Sequence, residues 1–298
     1  MINRIIIGPT GREVLLALKD YGVLHISALS RLINYRHSKE SLRQALKALE
    51  NNGLIIRRGW TYGHNALHFY QLSQSEQSIK KIAILLCCNS SELCQKGLRF
   101  SHYFHESDVA LTAHALLSSY PDAEVFQDWK LNSQNDLRRL LSDSLRRLHI
   151  LPDLVVKFPR QNENLQETWI GIEVERSRKT NARVNEKLTL LSNKSGLDGV
   201  LYLATQESIM KKLHLIYMGL KPQTSPRIRH YADEFLAYGS LPTTAYNFQN
   251  LSLVVNDRPH LASDWISYLC NTHILDRRNQ PQNTPRNHQD TMKGSNHV

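Results

Sequence analysis

The sequence predicts an α/β protein in two parts: a small N-terminal unit of three helices and a hairpin, then a larger mixed-sheet domain. Three observations predict it. Capped apolar stripes at helical spacing fill residues 10–53, and two β-like runs follow at 54–58 and 66–72. From residue 101 the order is helix, strand, strand, strand, helix, strand, helix, strand, which suits a mixed sheet covered by helices. The chain has 298 residues, 41% of them hydrophobic, enough for two cores. The expected boundaries are 1–75 for the first unit, 76–265 for the second, and 271–298 for a disordered polar tail rich in Asn, Gln, Arg, His and Pro.

In the N-terminal unit, Thr10 is the expected cap of a helix with Val14, Leu15 and Leu18 on one face, ended by Tyr21-Gly22. An extended piece at 23–26 leads to a second helix, capped by Ser27, with Leu29, Leu32 and Ile33 inward. After a turn at 34–37, Ser38 caps a third helix with Leu42, Leu46 and Leu49 as its buried stripe. Lys39, Arg43 and Lys47 recur every four residues on a different face, with Gln44 nearby, and Asn51-Asn52-Gly53 suits a helix end. The two β-like runs flank a loop at 59–65. Three helices plus a hairpin is the plan of a winged helix-turn-helix, whose third helix enters the major groove. Arg43 and Gln44 are the apt readers of guanine and adenine. Arg57 and Arg58, at the base of the wing, suit phosphate. A winged helix that binds protein and merely solvates its basic face fits the same pattern.

Residues 73–78 read as a short Ser/Gln linker, and 79–88 as an apolar run. A helix at 101–118 places His102, His105 and Glu106 on one face, with Asp108 nearby. A turn at 120–122 leads to a strand at 123–131, with Val125, Trp129 and Leu131, and then to a helix at 137–148 flanked by arginines. Strands follow at 154–158 and 169–175, a helix carrying Lys187 at 181–193, a buried strand at 199–204 and a helix at 206–213. The apolar run at 214–219 is expected to be a strand, 231–238 a helix and 251–255 a strand.

Two acidic stretches carry the chemistry. Pro152-Asp153 opens one β-like run, and Glu173-Val174-Glu175 lies inside another. Alternation sends Ile170, Ile172 and Val174 toward a core and sets Glu173 and Glu175 side by side on the other face. Two like charges that close repel unless a cation sits between them. A turn at 160–167 would bring Asp153 beside them. Three carboxylates on one strand face make a hard-oxygen site for Mg²⁺ or Mn²⁺, the means by which water is activated against a phosphodiester. A solvated strand face, with the acids paired to Arg176, Arg178 and Lys179, is the plainer alternative.

The charge balance points to a polyanionic partner. Lys and Arg number 37 against 27 Asp and Glu, a net charge of +10. Residues 1–75 hold ten of the cations and four of the acids, so more than half of the surplus lies there. The apolar run at 82–88 is far shorter than the roughly 20 residues that span a bilayer. The first residues do not resemble a signal peptide, so a cytoplasmic protein without membrane partners is expected. Cys87, Cys88, Cys94 and Cys270 lack zinc-like spacing and read as reduced thiols.

The layout of helix, β-hairpin with Asp and then Glu-x-Glu, helix and strand resembles the PD-(D/E)xK, restriction-endonuclease-like fold. More closely, the chain is similar to the replication-relaxation family, which includes MobC-type plasmid mobilization relaxases. The likeness spans roughly residues 10–215. It rests on the N-terminal unit, His102 with Asp108, Trp129, Leu151-Pro152-Asp153, the 172–177 segment and Lys187-Leu188. It implies a DNA endonuclease that nicks one strand of plasmid or mobile-element DNA at a transfer origin, as part of conjugation. Asp153 and Glu173 would be metal ligands, with Asp108 or Glu106 as a further acid. Glu175 would be a third ligand or would stand where the superfamily has Lys, and Lys187 would reach in from the next helix. His102 would contact metal, water or phosphate. Double-stranded plasmid DNA is the implied partner, with accessory mobilization proteins and a coupling protein beside it. A homodimer follows by analogy with other winged-helix proteins. The competing reading is a non-enzymatic plasmid replication or transcription regulator with a degenerate nuclease-like domain.

Overall fold

The computed structural model describes residues 7–33, 38–62, 65–93, 102–128, 150–159, 167–177, 179–220, 235–241 and 247–276, and these form an α/β structure. Helix α1 (Pro9–Tyr21) opens with Pro at its first position, where a missing N–H costs nothing, so the cap is Gly8 rather than Thr10. Strand β1 (Leu24–His25) leads directly into α2 (Ile26–Leu32). The cap of α2 is His25, not Ser27: the His25 Nδ1 accepts the Ser27 N–H at 3.3 Å. Helix α3 (Lys39–Asn51) is capped by Ser38, which accepts the Ser41 N–H at 3.0 Å, and it buries Leu42, Leu46 and Leu49 as expected. Strands β2 (Ile55–Tyr62) and β3 (Asn65–Leu72) pair from Ile55↔Leu72 to Tyr62↔Asn65. The hairpin thus continues through most of the expected loop. The three-stranded sheet has the order β1-β3-β2.

The expected boundary at residue 75 falls inside this first core. Ser75 caps α4 (Glu76–Leu86), and the Ser78 hydroxyl donates to the Gly53 carbonyl at 2.7 Å. Ile82, Ala83, Leu86 and Leu93 then pack with Val14, Leu18, Leu46 and Leu72. The serines that suggested a linker are a helix cap and a buried clasp.

Helix α5 (Tyr103–Ser119) joins the two parts. Its Ala110 belongs to the first core, while Val109, Ala113 and Leu116 belong to the core of a seven-stranded sheet. That sheet comprises β4 (Glu124–Gln127), β5 (Leu154–Phe158), β6 (Thr168–Glu175), β7 (Gly199–Ala204), β8 (Leu236–Ser240), β9 (Ser252–Val255) and β10 (Arg258–Leu261). The order is β10-β9-β8-β7-β6-β5-β4; the β6/β7 and β7/β8 pairs are parallel and the others antiparallel. Helices α5 and α8 (Ala262–Asp276) cover one face, through Trp265, Ile266 and Leu269 on the latter. Helices α6 (Asn181–Lys194) and α7 (Glu207–Leu220) cover the other.

Two expectations exchange places at the C-terminal side. The apolar run at 214–219 is not a strand but the second half of α7, because Ile209, Leu213 and Ile216 form one helical stripe against the sheet. The next strand is β8, where a helix was expected at 231–238; Leu236, Ala237, Tyr238 and Gly239 are all buried, as in a central strand covered on both faces. The expected tail at 271–298 begins as helix, since α8 runs to Asp276, and 277–298 lie outside the described residues. The expected turn at 34–37, all but the last residue of the turn at 160–167, the helix at 137–148, and Trp129 and Leu131 also lie outside them. Among the described residues no helix is long and apolar enough to cross a membrane.

Candidate functional site

The end of the β5–β6 hairpin brings the acids together. The register pairs Leu154 with Ile172, which places Asp153, just before β5, beside Glu173 and Val174. The Val174 N–H donates to Asp153 Oδ2 at 2.8 Å, which clamps that carboxylate to the neighbouring strand. Gly171 makes the approach possible: a Cβ there would lie 3.0 Å from the Pro152 ring and 2.9 Å from Leu197. Asp153 keeps 20% of its side chain exposed, whereas Glu173 keeps 2%.

Each acid has its own cation. His105 Nε2 lies 3.1 Å from Asp153 Oδ1. Lys187 is paired with Glu173, and its ammonium also donates to the Leu151 carbonyl at 2.9 Å. Lys179 lies 2.7 Å from Glu175 Oε2. Asp108 is paired with Arg176, whose guanidinium stacks 5.2 Å from the Phe104 ring centre. Glu173 and Glu175 lie two positions apart on β6, and the Lys179 ammonium that pairs with Glu175 also feels the Glu173 charge. Four carboxylates are thereby interleaved with four cationic side chains. Among the described residues no group of three or more His, Cys, Asp or Glu is arranged to hold a metal ion. The expected three-carboxylate cluster is thus two adjacent carboxylates, Asp153 and Glu173, with Glu175 drawn to Lys179.

The ionisation follows from these pairings. Burial pushes the Glu173 carboxyl up, aided by the Asp153 charge and opposed by Lys187 and Lys179. Burial also acts on Asp153, but the His105 hydrogen bond and charge, Lys187 and the Val174 N–H outweigh it and hold that carboxyl down. His105 rises to about 9: burial opposes, and the Asp153 hydrogen bond and charge, then Glu106 and Glu173, prevail. Asp108 is raised by burial against the pull of Arg176. The two adjacent carboxylates are therefore driven apart, one ionised and one prone to hold a proton, a pattern typical of working sites as well as of ion-pair networks.

His102 does not join the cluster. It lies exposed at the start of α5, and His105, one turn on, faces Asp153 instead. Tyr202 stands in register with Glu173 on the next strand, but it is buried, and burial with the acids nearby raises its hydroxyl well above the usual value. That makes it a poor nucleophile. His105, Lys179 and Arg176 were not singled out as site residues from sequence. The signal for His105 was its place on the His102 face; the two basic residues were visible only as possible partners of the acids.

The other constellation lies on α3. Lys39, Arg43, Gln44 and Lys47 are all exposed on its outer side, with Gln44 donating to Glu40 at 3.2 Å. Arg57 and Arg58 are exposed at the start of the hairpin, and Arg57 Nε is 3.3 Å from Glu50. No family model, no curated protein and no solved structure matches this chain.

Proposed function

We propose that this protein is a DNA-nicking endonuclease of relaxase type that acts on plasmid or mobile-element DNA. The observation that carries the reading is the convergence of Asp153, Glu173 and Lys187 at the end of the β5–β6 hairpin. A carboxylate before one strand, a second on its partner and a lysine beside them are the parts that phosphodiester hydrolysis needs. The N-terminal unit acts as a winged helix: α3 offers Lys39, Arg43, Gln44 and Lys47 to the major groove, and Arg57 and Arg58 meet phosphate. The seven-stranded sheet acts as the PD-(D/E)xK-like domain.

A divalent cation fits the donor set in one specific way. Mg²⁺ is commonly held by one or two carboxylates together with substrate phosphate oxygens. Asp153, partly open, and Glu173 supply those two; Glu175, Asp108 and His102 have no part in it. Bound there, Mg²⁺ or Mn²⁺ would lower the pKa of a water and offset charge at phosphorus. The chain's own residues do the rest. His105 holds Asp153 ionised and oriented. Lys187 brings a positive charge beside Glu173, where charge develops on a phosphate. Glu175 keeps Lys179 at the rim as a second cation. The origin of transfer as target, a coupling protein as partner and a homodimer remain parts of this proposal.

The test is a supercoiled plasmid incubated with the protein and Mg²⁺ or Mn²⁺. Open-circular product, lost in Asp153→Ala and Glu173→Ala, is the expected result; linear product would instead mean a double-strand cutter. One observation favours the second reading, a non-cutting regulator: every acid of the cluster already has a cationic partner. Duplex binding with no nicking by the wild-type chain would establish that reading and overturn ours.

A further inference from the structure

A concavity lies between α3 and the hairpin, far in the chain from the acidic cluster. It has a volume of about 490 Å³ and is lined by Ile26, Arg43, Leu46, Lys47, Glu50, Asn51, Arg57, His68 and Tyr70. Three cations and a single acid line it, and that acid, Glu50, is engaged with Arg57. A face that only tracks duplex phosphates needs charge and no depth. This cleft has depth, an aliphatic wall from Ile26 and Leu46, and two ring-bearing residues, His68 and Tyr70. The His68 Nδ1 is buried with no hydrogen-bonding partner among the described residues. That atom is turned toward Gly59 on β2, which leaves the rest of the half-buried ring to line the cleft.

We infer that this cleft is a seat for one unpaired nucleotide, with phosphate on Arg43 and Lys47 and the base against Ile26 and the half-buried His68 ring, Tyr70 forming the floor. The chemistry is that of base-stacking sites: a cationic rim for the backbone and ring faces for the base. An extruded residue of a DNA strand and a free nucleoside monophosphate share that chemistry. The inference deepens the proposed DNA reading, since it needs the N-terminal unit to grip DNA, but it does not need cleavage.

The experiment uses the full chain and fluorescence anisotropy on two short duplexes, one fully paired and one with a single-nucleotide bulge. Calorimetry with a deoxynucleoside monophosphate runs beside it. The bulged duplex should bind about tenfold tighter, the effect of one stacked base. Ile26→Trp fills the cleft without changing charge; it should erase that preference and leave the paired duplex unchanged. His68→Ala, a change at a half-buried ring, should reduce the same preference and guards against a misfolded Trp variant. Monophosphate binding lost in both variants, without bulge preference, would support the seat and name the free nucleotide as its occupant. If neither ligand is preferred, or if both duplexes weaken equally in Ile26→Trp, the cleft is only part of a charged face and the inference is wrong. Asp153→Ala should keep the bulge preference whatever it does to nicking, so the two proposals fail separately.

Discussion

At Lys187 a single side chain holds the charge of the least exposed acid in the protein's acidic cluster. Removing one partner of a buried pair leaves an uncompensated charge or forces its protonation, at a cost of about 3–5 kcal/mol. Lys187→Met should therefore lower unfolding stability by about 3 kcal/mol in urea titration, and Lys187→Met with Glu173→Gln should recover much of it. A loss unchanged by the second substitution would mean that Lys187 packs rather than pairs. Two histidines set a different dependence. Burial lowers the pKa of His25, with a further push from His68, and burial alone lowers that of His114. A base with a depressed folded pKa contributes stability above its ordinary value, near 6.5, and loses it as pH falls through the folded one. As pH drops below about 6.5 the two rings take stability away while the raised Glu173 and Asp108 carboxyls add it, so the readout is a difference: the melting temperature of His114→Gln should fall less, or rise more, than that of the wild type over this range. Parallel profiles for the two proteins would contradict the burial of the His114 ring. His105 shows the limit of residue-level reading. The helix and its acidic face were legible, but which histidine meets Asp153 depends on where the helix lies, and the two histidines are separated by only three positions.

At the scale of elements, the β5–β6 hairpin was readable because its side chains alternate and its ends carry a turn and a proline. The register then set Asp153 against Val174. Gly171 is the hinge of that arrangement, because only its missing Cβ lets Pro152 lie against β6. Gly171→Val should overpack the site by about 1–3 kcal/mol. It should displace Asp153, and plasmid nicking should fall far more than duplex affinity; equal losses would argue for general unfolding. The strand–helix exchange in the C-terminal third has a plain cause. An apolar run of six residues fits either a buried strand or one face of a helix, and local periodicity cannot separate them. Only the stripe of Ile209, Leu213 and Ile216 on the sheet resolves 214–219 as helix.

Across the whole molecule, α5 is the shared wall. Its Ala110 faces one core, and its Val109, Ala113 and Leu116 face the other. The same helix holds Ser107, whose hydroxyl accepts the His25 N–H at 2.9 Å, and His105, which meets Asp153. The chain should then unfold in one transition, with circular dichroism and tryptophan fluorescence coincident, and a fragment ending at residue 75 should fail to fold because α4 completes the first core. Two resolved transitions would show that the cores are independent. What the amino-acid order determined by itself was set by near neighbours: the cap at Ser38, the stripe of Leu42, Leu46 and Leu49, the basic outer face of α3, and two acids on one side of a strand. Tertiary structure alone decided the partners. His105 finds Asp153 across 48 positions, and Lys187 from α6 finds Glu173. Charge pairing falls off over a few ångströms of space, and no spacing along a chain encodes a distance that only packing sets.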